Sequence, residues 1–335
     1  MTAPFRQHLP NLADYRRKLV AAEASFPLRP VTWPPGGLLP QLPAPPAGRQ
    51  GWPWTIETHP FASVATDWPL ITIVMPSFKQ AEFLEEAVRS VLLQNYPRLE
   101  FVVMDGGSPD ASPAIIEKYR PWLSYARSAP DRGQGHAINL GFSLAAEAGL
   151  RGWLNSDDLY TPGALHRVAE SWRSTHADFH YGDGIYLDQE SRRRRVTAAE
   201  FVRGRYVKFP GLVFSHTAFW NAAIHAPVWE EQACALDYEL WIRLLPGRRL
   251  RHIAWPLGVF RQHDASKSSS PAMKHRWEED AIRNNLAHPQ LYRPDRWLDL
   301  EFKLMRRLLR PARERAAAAA FAAVCAQCGW EADPT

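Results

Sequence analysis

Leu70-Ile71-Thr72-Ile73-Val74-Met75-Pro76-Ser77-Phe78 decides the fold. Its almost unbroken apolar run, closed by proline, is the pattern of a strand covered on both faces. Next, Phe83, Leu84, Ala87, Val88, Val91 and Leu92 recur at the spacing of one helix face. Phe101-Val102-Val103-Met104 then supplies a second strand, ending on Asp105-Gly106-Gly107-Ser108. Strand, helix and strand at this spacing form a βαβ unit, whose handedness makes the two strands parallel neighbours.

Outward from that unit the α/β pattern continues. Ala137 to Ala148 reads as a helix, Gly152-Trp153-Leu154 as a short strand, and Thr161-Pro162 as an N-cap with proline at the first helical position. Phe179 to Leu187 reads as a hairpin turning at Gly182-Asp183-Gly184, and Asp237 as the cap of a helix carrying Leu240, Trp241 and Leu244. Residues 1–66 hold 12 of the 29 prolines and are expected to form an extended arm that packs on the body, after a short helix near Leu12 to Ala24. The expected organisation is this arm, a catalytic domain over 67–270 and a helical C-terminal extension over 271–335. In that extension Trp297, Leu298, Met305, Leu308 and Leu309 share a helix face.

Composition narrows the function. The 335 residues are 46% apolar and 22% charged, as in a globular domain with a full core, and the longest apolar run has 11 residues against the roughly 20 of a spanning helix. With an N-terminus that lacks the pattern of a secretory signal, the expected location is cytoplasmic. Of the three cysteines, Cys234 reads as a small buried hydrophobe, and the Cys325/Cys328 pair lacks the further ligands zinc needs. The net charge of +5 comes from Arg192–Arg195 and from residues 293–315, which hold eight Lys/Arg against four Asp/Glu. The remainder is mildly acidic, which argues against a nucleic-acid partner.

Asp105, Asp131, Asp157 and Asp158 each follow a strand-like run, so a parallel sheet would gather four carboxylates at one edge. Close carboxylates repel unless a cation joins them. Mn²⁺ or Mg²⁺ is the economical choice, and such ions complete their shell with phosphate and water, so the implied ligand is phosphorylated.

In order along the chain stand Pro76-Ser77-Phe78, Asp105-Gly106-Gly107-Ser108, Asp131-Arg132-Gly133-Gln134-Gly135 with Asn139, and Trp153-Leu154-Asn155-Ser156-Asp157-Asp158. Leu236-Asp237-Tyr238-Glu239 and Phe260-Arg261-Gln262-His263 follow, with Ser266 and Ser268. From about Leu70 to Ser270 this set resembles glycosyltransferase family 2. The resemblance implies the GT-A fold: a Rossmann-like mixed, mostly parallel sheet flanked by helices. It implies an inverting, metal-dependent transfer of a sugar from a nucleotide diphosphate donor, a UDP-sugar first, to the hydroxyl of a glycan or lipid-linked acceptor, as in cell-surface polysaccharide synthesis.

It also implies roles. Pro76, Ser77 and Phe78 would border the nucleoside, Asp105 would hold the base, and Asp131, Arg132 and Asn139 would hold the nucleotide. Asp157 would face the ribose. Asp158 and His263 would bind the metal, and Asp237 would be the general base. Leu236 stands where many relatives carry an acidic residue, so Asp237 would act alone, with Glu239 as its substitute.

Two other classes compete: a nucleotidyltransferase, which would show a Gly-rich phosphate loop where Pro76-Ser77-Phe78 stands, and a non-catalytic nucleotide or glycan binder of the same fold. The basic C-terminal helix is a candidate for peripheral contact with an anionic membrane.

Overall fold

The computed structural model describes residues 7–22, 28–59, 68–188, 193–196, 213–264, 266–267, 270–289 and 296–330. Within the helix and strand spans, the side chains of 194–196 and of several residues of 296–313, Leu298, Phe302, Met305, Leu308 and Leu309 among them, lie outside the description, as do Arg192 and Ser268.

The deciding stretch forms β1 (Ile71–Ser77), followed by α2 (Ala81–Leu92) and β2 (Leu99–Asp105), and the strands pair in parallel with Ser77 opposite Asp105. β3 (Tyr125–Ser128) continues the sheet beside β2, and β4 (Leu150–Trp153) lies on the other side of β1. Both strands of the βαβ unit are fully buried because each face is covered. Ile71, Ile73, Met75, Phe101 and Val103 enter one core with Leu84, Val88 and Val91 of α2. Val74, Val102 and Met104 point to the other face, against α4 (Gln134–Leu144) and α6 (Leu236–Leu244).

Beyond β4 the sheet is mixed, with antiparallel pairs on either side of one long parallel pair. Its order is β3-β2-β1-β4-β8-β6-β9-β5, where β5 is Leu159–Tyr160, β6 Phe179–Leu187, β8 Ala218–Asn221 and β9 Leu250–Arg261, with β7 (Arg193–Val196) attached to β6. The stretch read as a hairpin is thus one strand. An added Cβ at Gly182 would lie 2.5 Å from Leu257 Cγ, so the glycine serves close packing at an irregularity of the β6/β9 pairing instead of a turn. Thr161 likewise does not cap a helix: its Oγ1 donates to the Pro256 carbonyl at 2.6 Å, and α5 (Ala164–Thr175) begins after Gly163 in the left-handed region.

The proline-rich arm is part of the core. Val31, Leu38, Leu42 and Trp52 join the first cluster, and Trp52 donates its indole N–H to the Tyr160 carbonyl at 2.8 Å. Arg89 of α2, wholly buried, donates to the carbonyls of Pro43, Pro53 and Trp54 and to Tyr119, so arm backbone solvates a buried cation. The last turns of α8 (Arg296–Cys328) close over the same region, with Val324 and Cys328 buried and the Cys328 carbonyl accepting from Trp52 N–H at 2.9 Å. We expect Trp52→Ala to cost about 3–5 kcal/mol, as for other buried tryptophans. Urea denaturation measures it, and a loss under about 1 kcal/mol, the scale of surface substitutions, would make the arm a loose appendage.

The start of α8 is different. Trp297 is 82% exposed, and Leu300 and Leu304 are exposed on the same side. No described helix is long and apolar enough to cross a membrane.

Candidate active site

The carboxyl ends of β1, β2 and β4 open into a cleft of about 910 Å³. Pro76, Ser77, Phe78, Asp131, Gly133, Gln134, Asn155 and Asp157 line it, together with Trp153, Phe214, Phe260, Trp241 and Asp237. A cleft at this edge follows from the topology, because parallel strands deliver their following loops to one side of the sheet.

Asp237, read from the sequence as the cap, lies inside the first turn of α6, two residues after the observed cap. The cap is Ala235, in the left-handed region at φ 49°. The Asp237 carboxylate accepts the Tyr238 N–H at 2.8 Å. Burial raises its pKa above the ordinary aspartate value, against the pull of that N–H and those of Asp237 itself and Ser215. His216 nearby is pushed down to about 3 by burial and is a neutral neighbour.

The two adjacent aspartates face opposite ways. Asp157 lines the cleft, and its Oδ2 lies 3.1 Å from His263 Nε2. Asp158 is fully buried, accepting the Arg261 N–H at 3.1 Å and the Asn155 amide at 3.2 Å, and burial together with Asp157 pushes its pKa well up. The partner of His263 is therefore Asp157 rather than Asp158. Arg261 braces the pair: its Nε donates to the Asp157 carbonyl and its guanidinium reaches Glu86 at 2.8 Å.

Three residues expected around the nucleotide bond to other protein groups. Asp105, 2% exposed, accepts from Gly107 N–H, from the N–H and hydroxyl of Ser108, and from the Ser128 hydroxyl, so its carboxylate builds the turn after β2. Asn139 is wholly buried and clamps both backbone groups of Val228 at 2.8 Å. Arg132 points to Glu230 and Tyr15, at 2.7 and 2.5 Å. Asp131 does face the cleft, its Oδ1 accepting the Gly133 N–H at 2.7 Å. Glu239 is excluded as a substitute base: it is buried, and although burial opposes its charge, bonds from His288, Arg243 and Gln7 hold its pKa down.

Lys267 was not legible as a site residue. It lines the cleft and donates to Gln134 Oε1 and the Ala233 carbonyl, both at 2.8 Å, from a loop with no periodic signal. Among the described residues no three His, Cys, Asp or Glu side chains gather as metal ligands.

The sequence profile described as Glycosyl transferase family 2 matches residues 72–225, just under half of the chain. An uncharacterised glycosyltransferase of Nostoc sp. is 30% identical over 137 residues, covering 36% of this chain and 40% of that protein. One of Mycobacterium tuberculosis is 34% identical over 108 residues, covering 32% and 41%. The chain spans about two fifths of the length of these relatives. Among solved structures, S. aureus TarS 1–349 in complex with UDP-GlcNAc superposes with a TM-score of 0.52 at 16% identity, covering 77% of this chain and 81% of that one. Residues 72–225 thus carry a glycosyltransferase family 2 domain, on a GT-A fold.

Proposed function

We propose that this protein transfers a sugar, with inversion, from a nucleotide diphosphate sugar to an acceptor hydroxyl, with Asp237 as general base. The observation that carries the reading is that a carboxylate raised in basicity by burial, Asp237, shares one cleft with Asp157, which lies in the loop after β4 and pairs with His263. TarS of the same fold was solved with UDP-GlcNAc, so a UDP-sugar is the first donor to test.

Asp157 oxygen and His263 imidazole suit Mn²⁺ or Mg²⁺, which take few protein ligands and fill their shell with diphosphate oxygens and water. A divalent cation held there supplies Lewis-acid stabilisation of the leaving diphosphate. The protein's own groups do the rest. Asp131 and Gly133 border the donor, and Phe78, 54% exposed, offers a ring face to the base. Lys267 adds positive charge at the diphosphate end. Asp237 takes the acceptor proton as the acceptor oxygen bonds to the anomeric carbon on one face and the bond to diphosphate oxygen breaks on the other. Opposite-face attack inverts the centre.

A thermal-shift panel of nucleoside diphosphates and their sugars with MnCl₂ tests the donor half. One nucleotide should raise the melting temperature, and its sugar should be slowly hydrolysed. No shift with any of them would sink the reading.

The acceptor belongs to cell-surface glycan synthesis in this proposal, in glycan or lipid-linked form. The exposed Trp297, Leu300 and Leu304, within a segment of net positive charge, suit an anionic membrane surface. The full chain should float with phosphatidylglycerol vesicles at low salt, and Trp297→Ala with Leu300→Ala should not. Sedimentation of the wild type away from such vesicles would direct the search to water-borne acceptors.

A further inference from the structure

The polar cluster at Tyr15 carries an inference that rests on the donor reading above and extends it to α1 (Leu12–Ala22), which lies outside the family-matched region. We propose that Tyr15 is a positioning residue for the donor site: with Glu230 and Arg132 it fixes the 131–135 loop to the segment that enters the base helix.

Glu230 is the hub. Its Oε1 accepts from the Tyr15 hydroxyl at 2.8 Å and the Asn139 amide at 3.0 Å, and its Oε2 from Arg132 at 2.7 Å. Arg132 also donates to the Tyr15 hydroxyl at 2.5 Å and lies over the ring, 5.7 Å from its centroid, while His136 meets that ring edge-on. The Arg132 N–H donates to His136 Nδ1 at 3.2 Å. Three elements distant in sequence thus meet at one carboxylate: α1, the loop that opens α4, and the segment 228–235.

That segment and the loop are packed together at two further points. An added Cβ at Gly135 would lie 3.2 Å from Glu230 Cα and 3.0 Å from Leu236 Cδ2, so the start of α4 packs directly on the entrance to α6. Lys267 bridges Gln134 and Ala233 from the cleft side. Asp131 stands at one end of this unit and Asp237 at the other, both facing the cleft. The α1 side is held again by Gln7, which donates to Glu239 of α6 at 2.6 Å.

The Arg132 arm of the cluster adds little to global stability. The Arg132 side chain is 60% exposed, and ion pairs so exposed to water are weak. Removing the Tyr15 hydroxyl should therefore act locally, on the spacing of the donor loop from the base helix, while the ring keeps its contact with His136.

The test compares wild type, Tyr15→Phe and Arg132→Lys, the last because the shorter lysine loses the guanidinium whose Nη2 donates to both Tyr15 and Glu230 and whose Cζ lies over the Tyr15 ring. The ligand is the nucleoside diphosphate selected by the thermal-shift panel, titrated with Mn²⁺ by calorimetry. Amide hydrogen exchange is followed by mass spectrometry on the same proteins. Both variants should bind the nucleotide about tenfold more weakly, as expected for one hydrogen bond to a charged group. Exchange should quicken at 131–137 and 229–237 alone, at an unchanged melting temperature. Wild-type affinity in Tyr15→Phe overturns the proposal whatever the exchange shows. So does a uniform rise in exchange with a lowered melting temperature, which marks a merely structural tyrosine. If the wild type binds no nucleotide of the panel, the donor reading itself has failed, an outcome visible before any variant is made.

Discussion

Asp237→Asn is expected to lower sugar transfer by about 10²- to 10⁴-fold, the usual contribution of a positioned general base, while leaving nucleotide binding near that of the wild type. Asparagine still accepts the Tyr238 N–H but cannot take a proton. The same substitution has a stability signature of determined sign. Burial raises the Asp237 pKa in the folded chain above its unfolded value. The stabilisation that goes with its protonated form is therefore complete below the unfolded pKa and is lost as pH rises through the folded one. At neutral pH the ionised carboxylate is a cost to the fold, which the uncharged amide removes. The variant should melt no lower than wild type at pH 7, and the difference should shrink as the pH falls toward the ordinary aspartate range. Activity of the wild type runs the other way: its acid limb should stand above that of an unperturbed aspartate, because the base works only when ionised. Wild-type turnover in a folded Asp237→Asn would remove the base from this residue, and Glu239, tied to Arg243 and His288, could not inherit it.

The parallel half of the sheet was legible because covered strands have a signature, and Leu70 to Met75 and Phe101 to Met104 carry it without interruption. The place of the cleft followed, since the loops after those strands share an edge. What each loop residue does there was not legible, for reasons visible in Asp105, Arg132 and Asn139. Asp105 looks like a ligand-binding carboxylate, yet its partners are the Ser108 and Ser128 hydroxyls and two nearby N–H groups. Arg132 and Asn139 are both turned aside by Glu230, almost a hundred residues downstream, and no local pattern announces a partner at that distance. Gly182 and Gly184 mimic a turn because glycine marks close packing as often as chain reversal; His216 Nε2 lies 3.1 Å from where a Cβ of Gly184 would be. The arm shows the same limit from the other side. Its prolines correctly exclude a helical domain, but Trp52 and the carbonyls that solvate Arg89 become core only through long-range contacts.

The Asp157/Asp158 pair is where a shift of one residue changes the chemistry, and it gives the second large effect. A loop has no alternation to say which of two neighbours faces the ligand, so the assignment of the metal to Asp158 rested on motif position alone. Asp157 lines the cleft beside His263, whereas Asp158 is enclosed by the Arg261 N–H and the Asn155 amide. A cation with a diphosphate cannot reach a carboxylate with no exposed surface unless the β9 end is displaced. We therefore expect Asp157→Ala and His263→Ala to lose at least the ~10- to 100-fold in Mn²⁺-dependent nucleotide affinity that even outer contacts of a metal site are worth. EDTA should reduce the wild type to the same level, because the diphosphate and Asp157 then repel without a counter-ion. Asp158→Asn should bind the nucleotide nearly as wild type: its oxygen still accepts the Arg261 N–H, and loss of a buried charge offsets the strained contact with the Asn155 amide. Calorimetry of the four proteins with and without EDTA separates the alternatives. Retention of Mn²⁺-dependent binding in Asp157→Ala together with its loss in Asp158→Asn would return the metal to Asp158, and would require the 155–158 loop to turn over when the donor binds.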